Sequence, residues 1–228
     1  MNEQKFRHEI KHFINYSDFL QIKNRLRFVA KKDTSSGNIK QYKIRSLYFD
    51  NLYDKALLEK INGINNREKY RLRYYNDDPS FIRLEKKSKI NGLCQKQSVI
   101  ITKDECNKIL NNDLDWIKER KNPILLEFYS KSNYLLLKPK TIVDYFREAY
   151  IYEPGNVRIT FDMNVKTGLY SNDFFNSDLP TAEVVKNNTI ILEVKYDEFL
   201  PEIISELIQT NNREATAISK YASSRIYG

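Results

Sequence analysis

Arginine and lysine recur at every second position in several stretches of this sequence, and that spacing determines what they could do together. In 67–75, Arg67, Lys69, Arg71 and Arg73 alternate with Tyr70, Leu72 and Tyr74. In 81–89, Arg83, Glu85, Lys87 and Lys89 alternate with Ile82 and Leu84. Residues 156–163 set Arg158, Thr160 and Asp162 against Val157, Ile159, Phe161 and Met163, and 189–196 set Glu193 and Lys195 against Ile190, Leu192, Val194 and Tyr196. Period-two alternation predicts strands with one apolar and one charged face. A single charged strand face is ordinarily a solvated outer surface. Four together imply more, because like charges on neighbouring strands repel. Curling the sheet into a barrel with the charges inside makes a basic channel, which must then hold water, carboxylates and an anionic ligand. Arginine forks suit phosphate oxygens, lysines add point charge, and glutamates among them suit a hard divalent cation. Lys69, Arg71, Arg73, Arg83, Lys87, Arg158 and Lys195 would form such a wall as candidate phosphate ligands.

The rest of the chain must position such faces. Its 228 residues carry 38 Lys and Arg against 30 Asp and Glu, a net charge of +8 that favours an acidic partner. No linker-like stretch or solenoid repeat divides the chain, so residues 1–228 are expected to form one domain. Weaker strands are predicted at 42–49, 93–101 and 142–151. Helices are expected after Ser17 and Thr102 as caps, with Leu20, Lys23 and Arg27 along the first. Further helices are expected from Pro123 through Leu137, and from Pro201 to Ile226 with a break near Asn211 and Asn212. The mixture is α+β, dominated by antiparallel strands. The six glycines are never closer than 13 residues, which excludes a Walker loop and a dinucleotide fingerprint. Two cysteines and no recognisable leader predict a cytoplasmic protein, and no apolar run approaches the ~20 residues of a membrane span.

A series of short elements then resembles a known family. Arg7-x-Glu9-x-Lys11, Ser46-Leu47-Tyr48-Phe49-Asp50, Lys69-Tyr70-Arg71-Leu72-Arg73, Glu85-Lys86-Lys87-Ser88, Tyr145-x-Arg147, Arg158-x-Thr160-x-Asp162, Glu193-Val194-Lys195 and Ser219-Lys220-Tyr221 stand in order from residue 5 to about 225. They resemble the vacuolar transporter chaperone (VTC) polyphosphate polymerase domain, one of the triphosphate tunnel metalloenzymes. The resemblance implies a closed antiparallel β-barrel of about eight strands with helices outside, and a metal-dependent transfer of the γ-phosphate of ATP to inorganic polyphosphate. It makes Arg71, Arg73, Lys87, Arg147, Arg158 and Lys220 catalytic. Lys11 and Lys96 join the phosphate wall, and Glu193 with Glu9 would hold Mn²⁺ or Mg²⁺. The hydrolase branch usually begins Glu-x-Glu-x-Lys; here Arg7 replaces the first glutamate, which leans toward polymerisation. The sensing domain and membrane segments of the fungal protein are not seen, and whether a membrane-protein partner carries the product away is left open.

Other readings compete. His8-Glu9-Ile10-Lys11-His12 is a His-Glu-x-x-His string that could bind zinc only on a helix; on a strand the histidines stand ~13 Å apart. Cys94 and Cys106 read as packing residues without a histidine partner. Interleaved Arg and Tyr could also form a single-strand nucleic-acid platform, although no nucleic acid is the expectation. Glu85 reads as an orienting partner of Lys87 and Arg83, and Asp197 and Glu198 as part of a turn. A triphosphate hydrolase of the same fold and a non-catalytic polyphosphate or nucleic-acid binder are the alternatives.

Overall fold

The computed structural model describes residues 6–33, 41–185, 188–210 and 218–226. The elements run β1 (His8–Ile14), α1 (Tyr16–Leu26), β2 (Lys31–Lys32), β3 (Tyr42–Asp50), α2 (Lys55–Ile61), β4 (Arg67–Tyr75), β5 (Asp78–Ile90) and β6 (Leu93–Ile101). Then come α3 (Lys103–Leu110), α4 (Ile117–Arg120), α5 (Pro123–Leu135), β7 (Lys138–Tyr152), β8 (Val157–Thr167), β9 (Ala182–Glu183), β10 (Ile190–Tyr196), α6 (Glu202–Leu207) and α7 (Lys220–Ile226). Every pairing is antiparallel, in the order β1-β10-β8-β7-β3-β4-β5-β6, with β2 attached to β7 and β9 to β8.

The four charged stretches form β4, β5, β8 and β10, with the predicted faces. Tyr70, Leu72, Tyr74, Ile82 and Leu84 are buried beneath α3, α4 and α5, which contribute Cys106, Ile109, Ile117, Leu125 and Phe128. Val157, Ile159, Phe161, Ile190, Leu192 and Val194 pack on Phe19, Ile22 and Leu26 of α1 and Ile204 of α6. Helices thus cover both halves of the convex apolar face and turn the alternate charged residues inward. A third apolar cluster lies on the concave side, where Ile44, Tyr48, Val143, Tyr145 and Ile191 meet Ile218 and Tyr221, at the start of α7. Two-residue turns of positive φ, Asn76-Asp77 and Asn91-Gly92, reverse β4 into β5 and β5 into β6.

Three local expectations need correction. The cap of α1 is Asn15, locked with Asp18 in a capping box, not Ser17; the carboxylate three residues on makes Asn15 the reciprocal partner. Its buried stripe is Phe19, Ile22 and Leu26, and Leu20 is exposed. The helix from Pro123 stops at Leu135 because Leu136 turns left-handed at φ 55°. Thr102 does cap α3, through a capping box with Glu105. The predicted break at Asn211 and Asn212 falls outside the described residues.

The sheet is also not the closed barrel expected. Among the described residues its edge strands β1 and β6 meet through one β-bridge, Arg7 with Cys94, both hydrogen bonds 2.9 Å, and no ladder follows. Side chains span the seam instead, with Lys87 Nζ 2.6 Å from the Glu9 carboxylate. A fully laddered eight-stranded closure leaves room for little more than side chains or one small ligand. A curled sheet with a partly open seam gives the long charged side chains more space. Leu72→Ala should cost about 2–5 kcal/mol in urea unfolding and Asn15→Ala only about 1 kcal/mol. A smaller loss for Leu72→Ala than for Asn15→Ala would contradict the burial of this face.

Candidate active site

The concave face encloses a cavity of about 780 Å³ whose wall carries fourteen Lys and Arg side chains against three glutamates, Glu9, Glu68 and Glu193. Lys11, Lys69, Arg71, Arg73, Lys87, Lys96, Arg147, Arg158, Lys195 and Lys220 all reach it, as do Glu9 and Glu193. They come from β1, β4, β5, β6, β7, β8, β10 and α7, so strand alternation rather than sequence proximity gathers them. Arg83 is the exception among the candidates. It shares the face of Glu85 and Lys87 but is not part of the cavity wall, and its guanidinium stacks over Phe81 at 4.7 Å near the β4–β5 turn.

Buried carboxylates hold the cations in place. Glu85, 1% exposed, accepts from Arg71 at 2.7 Å and pairs with Lys96 at 3.2 Å and Arg73 at 3.8 Å. Its partners are therefore these three, not the expected Lys87 and Arg83. Lys87 instead crosses to Glu9, and Arg83 lies one register step beyond Glu85. Asp162 binds the Arg147 fork at 2.6 and 2.7 Å and also pairs with Lys220. Asp33 receives two hydrogen bonds from Arg158, and Ser46 and Tyr145 receive Arg73. Such forks fix each guanidinium's plane and leave outward N–H groups for a ligand.

Charge states follow from this mutual holding. Burial and the Glu193 carboxylate push Glu9 up, but Lys11, Lys87 and Lys195 outweigh them and keep it well below the usual carboxylate range. Burial likewise opposes ionisation of Glu193 and Glu85. Lys195 and Lys11 overcome it for Glu193, and Arg71 and Arg73 for Glu85. Among the described residues Lys69 meets no carboxylate partner and donates to the Ser219 hydroxyl at 3.3 Å. Burial, helped by Lys87, Lys11 and Arg71, brings its ammonium down to about 7 against the pull of Tyr48. Burial and Arg67 bring Lys60 down to about 8.

A divalent cation has a plausible donor set. Lys11 Nζ lies 2.8 Å from Glu9 and 3.2 Å from Glu193, so two ionised carboxylates converge around one positive charge. Thr160, the register partner of Glu193, has a buried hydroxyl without a hydrogen-bond partner among the described residues. Two carboxylates and a hydroxyl fit Mg²⁺ or Mn²⁺, which take one or two protein carboxylates and complete their shell with water and phosphate oxygens. Among the described residues no three His, Cys, Asp or Glu gather into a complete metal site. The zinc reading fails on geometry, since His8 and His12 lie on strand β1 and His8 stacks on Tyr196 at 5.0 Å. Cys106 is fully buried, with its thiol raised to about 12 by burial, which suits packing. Asp197 is held by Arg7 and Asn156.

Residues 6–226 match the VTC domain family. The chain belongs to that family. No curated protein sequence matches it. Among solved structures, the VTC domain is similar to HpAC1 from Hippeastrum, described as a candidate adenylyl cyclase with dominant triphosphatase activity. The two share 15% identity over 96% of this chain and 94% of that one, with a TM-score of 0.56, a likeness of fold. A candidate adenylate cyclase from Bacillus halodurans shares 12% identity over 84% and 81% of the two chains at a TM-score of 0.48, too distant to carry weight. No helix among the described residues is long and apolar enough to cross a membrane.

Reading by charge alternation missed the cavity's aromatic and hydroxyl groups. Tyr48 and Tyr145 share the inward faces of β3 and β7 with Ser46 and Arg147, a weaker signal because tyrosine serves either face. Lys60, on α2 at the cavity rim, has no periodic signal at all. The depressed Lys69 gives a signed prediction. Above pH 7 the free protein carries Lys69 neutral, and an anion must restore its proton to use it. Relative to Lys69→Arg, the parent should lose tripolyphosphate affinity by up to about tenfold per unit of pH above 7 until the bound-state pKa is reached. Calorimetric titration of both proteins measures this, and a constant ratio of their affinities from pH 7 to 9 would contradict it.

Proposed function

We propose that this VTC domain is a metal-dependent polyphosphate polymerase, passing the γ-phosphate of ATP to the end of an inorganic polyphosphate chain held in the cavity. The observation that carries this reading is the large excess of cations over carboxylates on the wall of an enclosed space, in a chain of this family. Arg71, Arg73, Lys87, Arg147, Arg158 and Lys220 bind and orient the phosphates, while Lys11, Lys69, Lys96 and Lys195 extend the positive wall. A transferred phosphoryl group becomes metaphosphate-like and spreads charge over its oxygens, which a preorganised cationic wall stabilises. The terminal phosphate of the growing chain is the nucleophile. With a second pKa of roughly 6 it is already ionised at neutral pH and needs no general base. Its oxygen forms the new bond to phosphorus as the anhydride bond to ADP breaks, so alignment in line is the main demand on the protein. Glu193 and Glu9, with Thr160 beside them, would hold Mn²⁺ or Mg²⁺, which supplies further neutralisation of phosphate charge.

Arg7 supports transfer over hydrolysis. Where the hydrolase pattern places a carboxylate, this side chain donates to Asp197 at 2.9 Å. Hydrolysis of a triphosphate is the second reading, favoured by the triphosphatase activity of the Hippeastrum protein of similar fold. Incubation with ATP and Mn²⁺, resolved on a gel, separates the two: long phosphate chains are expected, and release of free phosphate alone would establish the hydrolase. Arg71→Ala and Arg158→Ala should each lower turnover more than about tenfold without unfolding the protein. Unchanged turnover in both would contradict the site. Glu193→Gln should move the metal titration to higher concentration, and superimposable titrations would remove Glu193 as a ligand.

A further inference from the structure

Tyr48 is 2% exposed, lines the cavity and lies among cations. Its Oη accepts a hydrogen bond of 2.9 Å from Arg71 Nη1, the same guanidinium whose Nε is held by Glu85. Lys69 Nζ is 5.4 Å and Arg71 Cζ 5.7 Å from its ring centre, and the Tyr221 ring lies tilted beside it at 5.2 Å. Among the described residues the Tyr48 hydroxyl is a hydrogen-bond acceptor only, so its own O–H finds no protein acceptor. A buried O–H is normally paired. Tyr48 and Arg71 both line the cavity, so a phosphate oxygen bound there could supply that acceptor.

We propose that Tyr48 is a phosphate ligand that changes protonation with occupancy: it takes a proton from solvent as an anion enters and donates it in a hydrogen bond to a phosphate oxygen seated beside Arg71. This rests on the cavity being a phosphate site. The charges facing Tyr48 support it. Lys69, Arg71 and Arg73 approach from β4, Glu85 and Lys87 from β5, Lys220 from α7, and Tyr145 from β7, while Asp50 on its own strand is engaged by Tyr221. Burial raises the phenol, but Arg71 foremost, Lys69 while it keeps its proton, Arg73 and Lys220 overcome burial and draw it down to about 7. An arriving polyanion cancels that positive field, so phenolate gives way to phenol. Tyr221 is bonded to the Asp50 carboxylate, and burial and Asp50 raise it, so the two neighbouring phenols differ in proton state.

The tyrosinate ultraviolet band reads this directly. At about pH 8.5 the parent should show an ionised tyrosine that Tyr48→Phe lacks, a comparison that sets aside Tyr75, the other phenol drawn down. Adding tripolyphosphate, with binding followed by calorimetry, should bleach that band in the parent. Near pH 6, where Tyr48 of the parent is already a phenol and pays nothing for its proton, Tyr48→Phe should bind tripolyphosphate about tenfold more weakly, the scale of one hydrogen bond to a charged group. Tripolyphosphate that binds without changing the parent's band would overturn the role of Tyr48 and leave the phosphate site standing. Equal affinity of parent and Tyr48→Phe near pH 6 would do the same. Absence of tripolyphosphate binding to the parent would overturn the phosphate reading and this inference with it. The bleaching measurement needs no variant, so a misfolded Tyr48→Phe would not blunt it.

Discussion

A guanidinium or ammonium group on the inner face of a curled sheet repels its neighbours across the cavity and loses hydration, and this double cost governs the whole molecule. Carboxylates at chosen positions offset it. Glu85 stands among Arg71, Arg73 and Lys96; Asp162 joins Arg147 and Lys220; Glu9 and Glu193 share Lys11 and Lys195. These acids are too few to neutralise the wall. They hold the cations in fixed orientations while leaving a positive excess, the condition for a pre-formed anion site rather than a self-satisfied salt-bridge core.

The same interactions shape the fold. Helices α1 and α3–α6 cover the convex apolar face, so alternation forces the charged residues inward. Lys87 and Glu9 then draw the two sheet edges together where the backbone of the described residues makes a single bridge. At one end Ile218 and Tyr221 fill the concave side, and α7 brings Lys220 to Asp162. Asp50 receives the Tyr221 hydroxyl and two backbone N–H groups from the start of α2, so one buried carboxylate ties α2, α7 and β3 together beside the cavity.

Much of this was readable in the sequence because period-two alternation survives folding. Lys69, Arg71 and Arg73 on β4 and Lys195 on β10 face inward as their spacing requires. Arg83 shows the limit of that logic: alternation assigns a face but not a depth along the strand, and this residue sits past the cavity's end. Pairing across the space was not readable either. Glu85 bonds β4 and β6 neighbours rather than residues of its own strand, and Lys87 reaches a strand 78 positions away in sequence. Incomplete closure of the sheet was equally hidden, since it depends on how two edge strands meet.

The most direct test of the central claim is a crystal structure of the protein grown with tripolyphosphate. The account predicts phosphate groups strung through the cavity, contacting Arg71 and Arg73 on one wall and Arg147 and Lys220 on another. Tripolyphosphate seated on the helical exterior, with the inner arginines still bound only to their carboxylates, would contradict it.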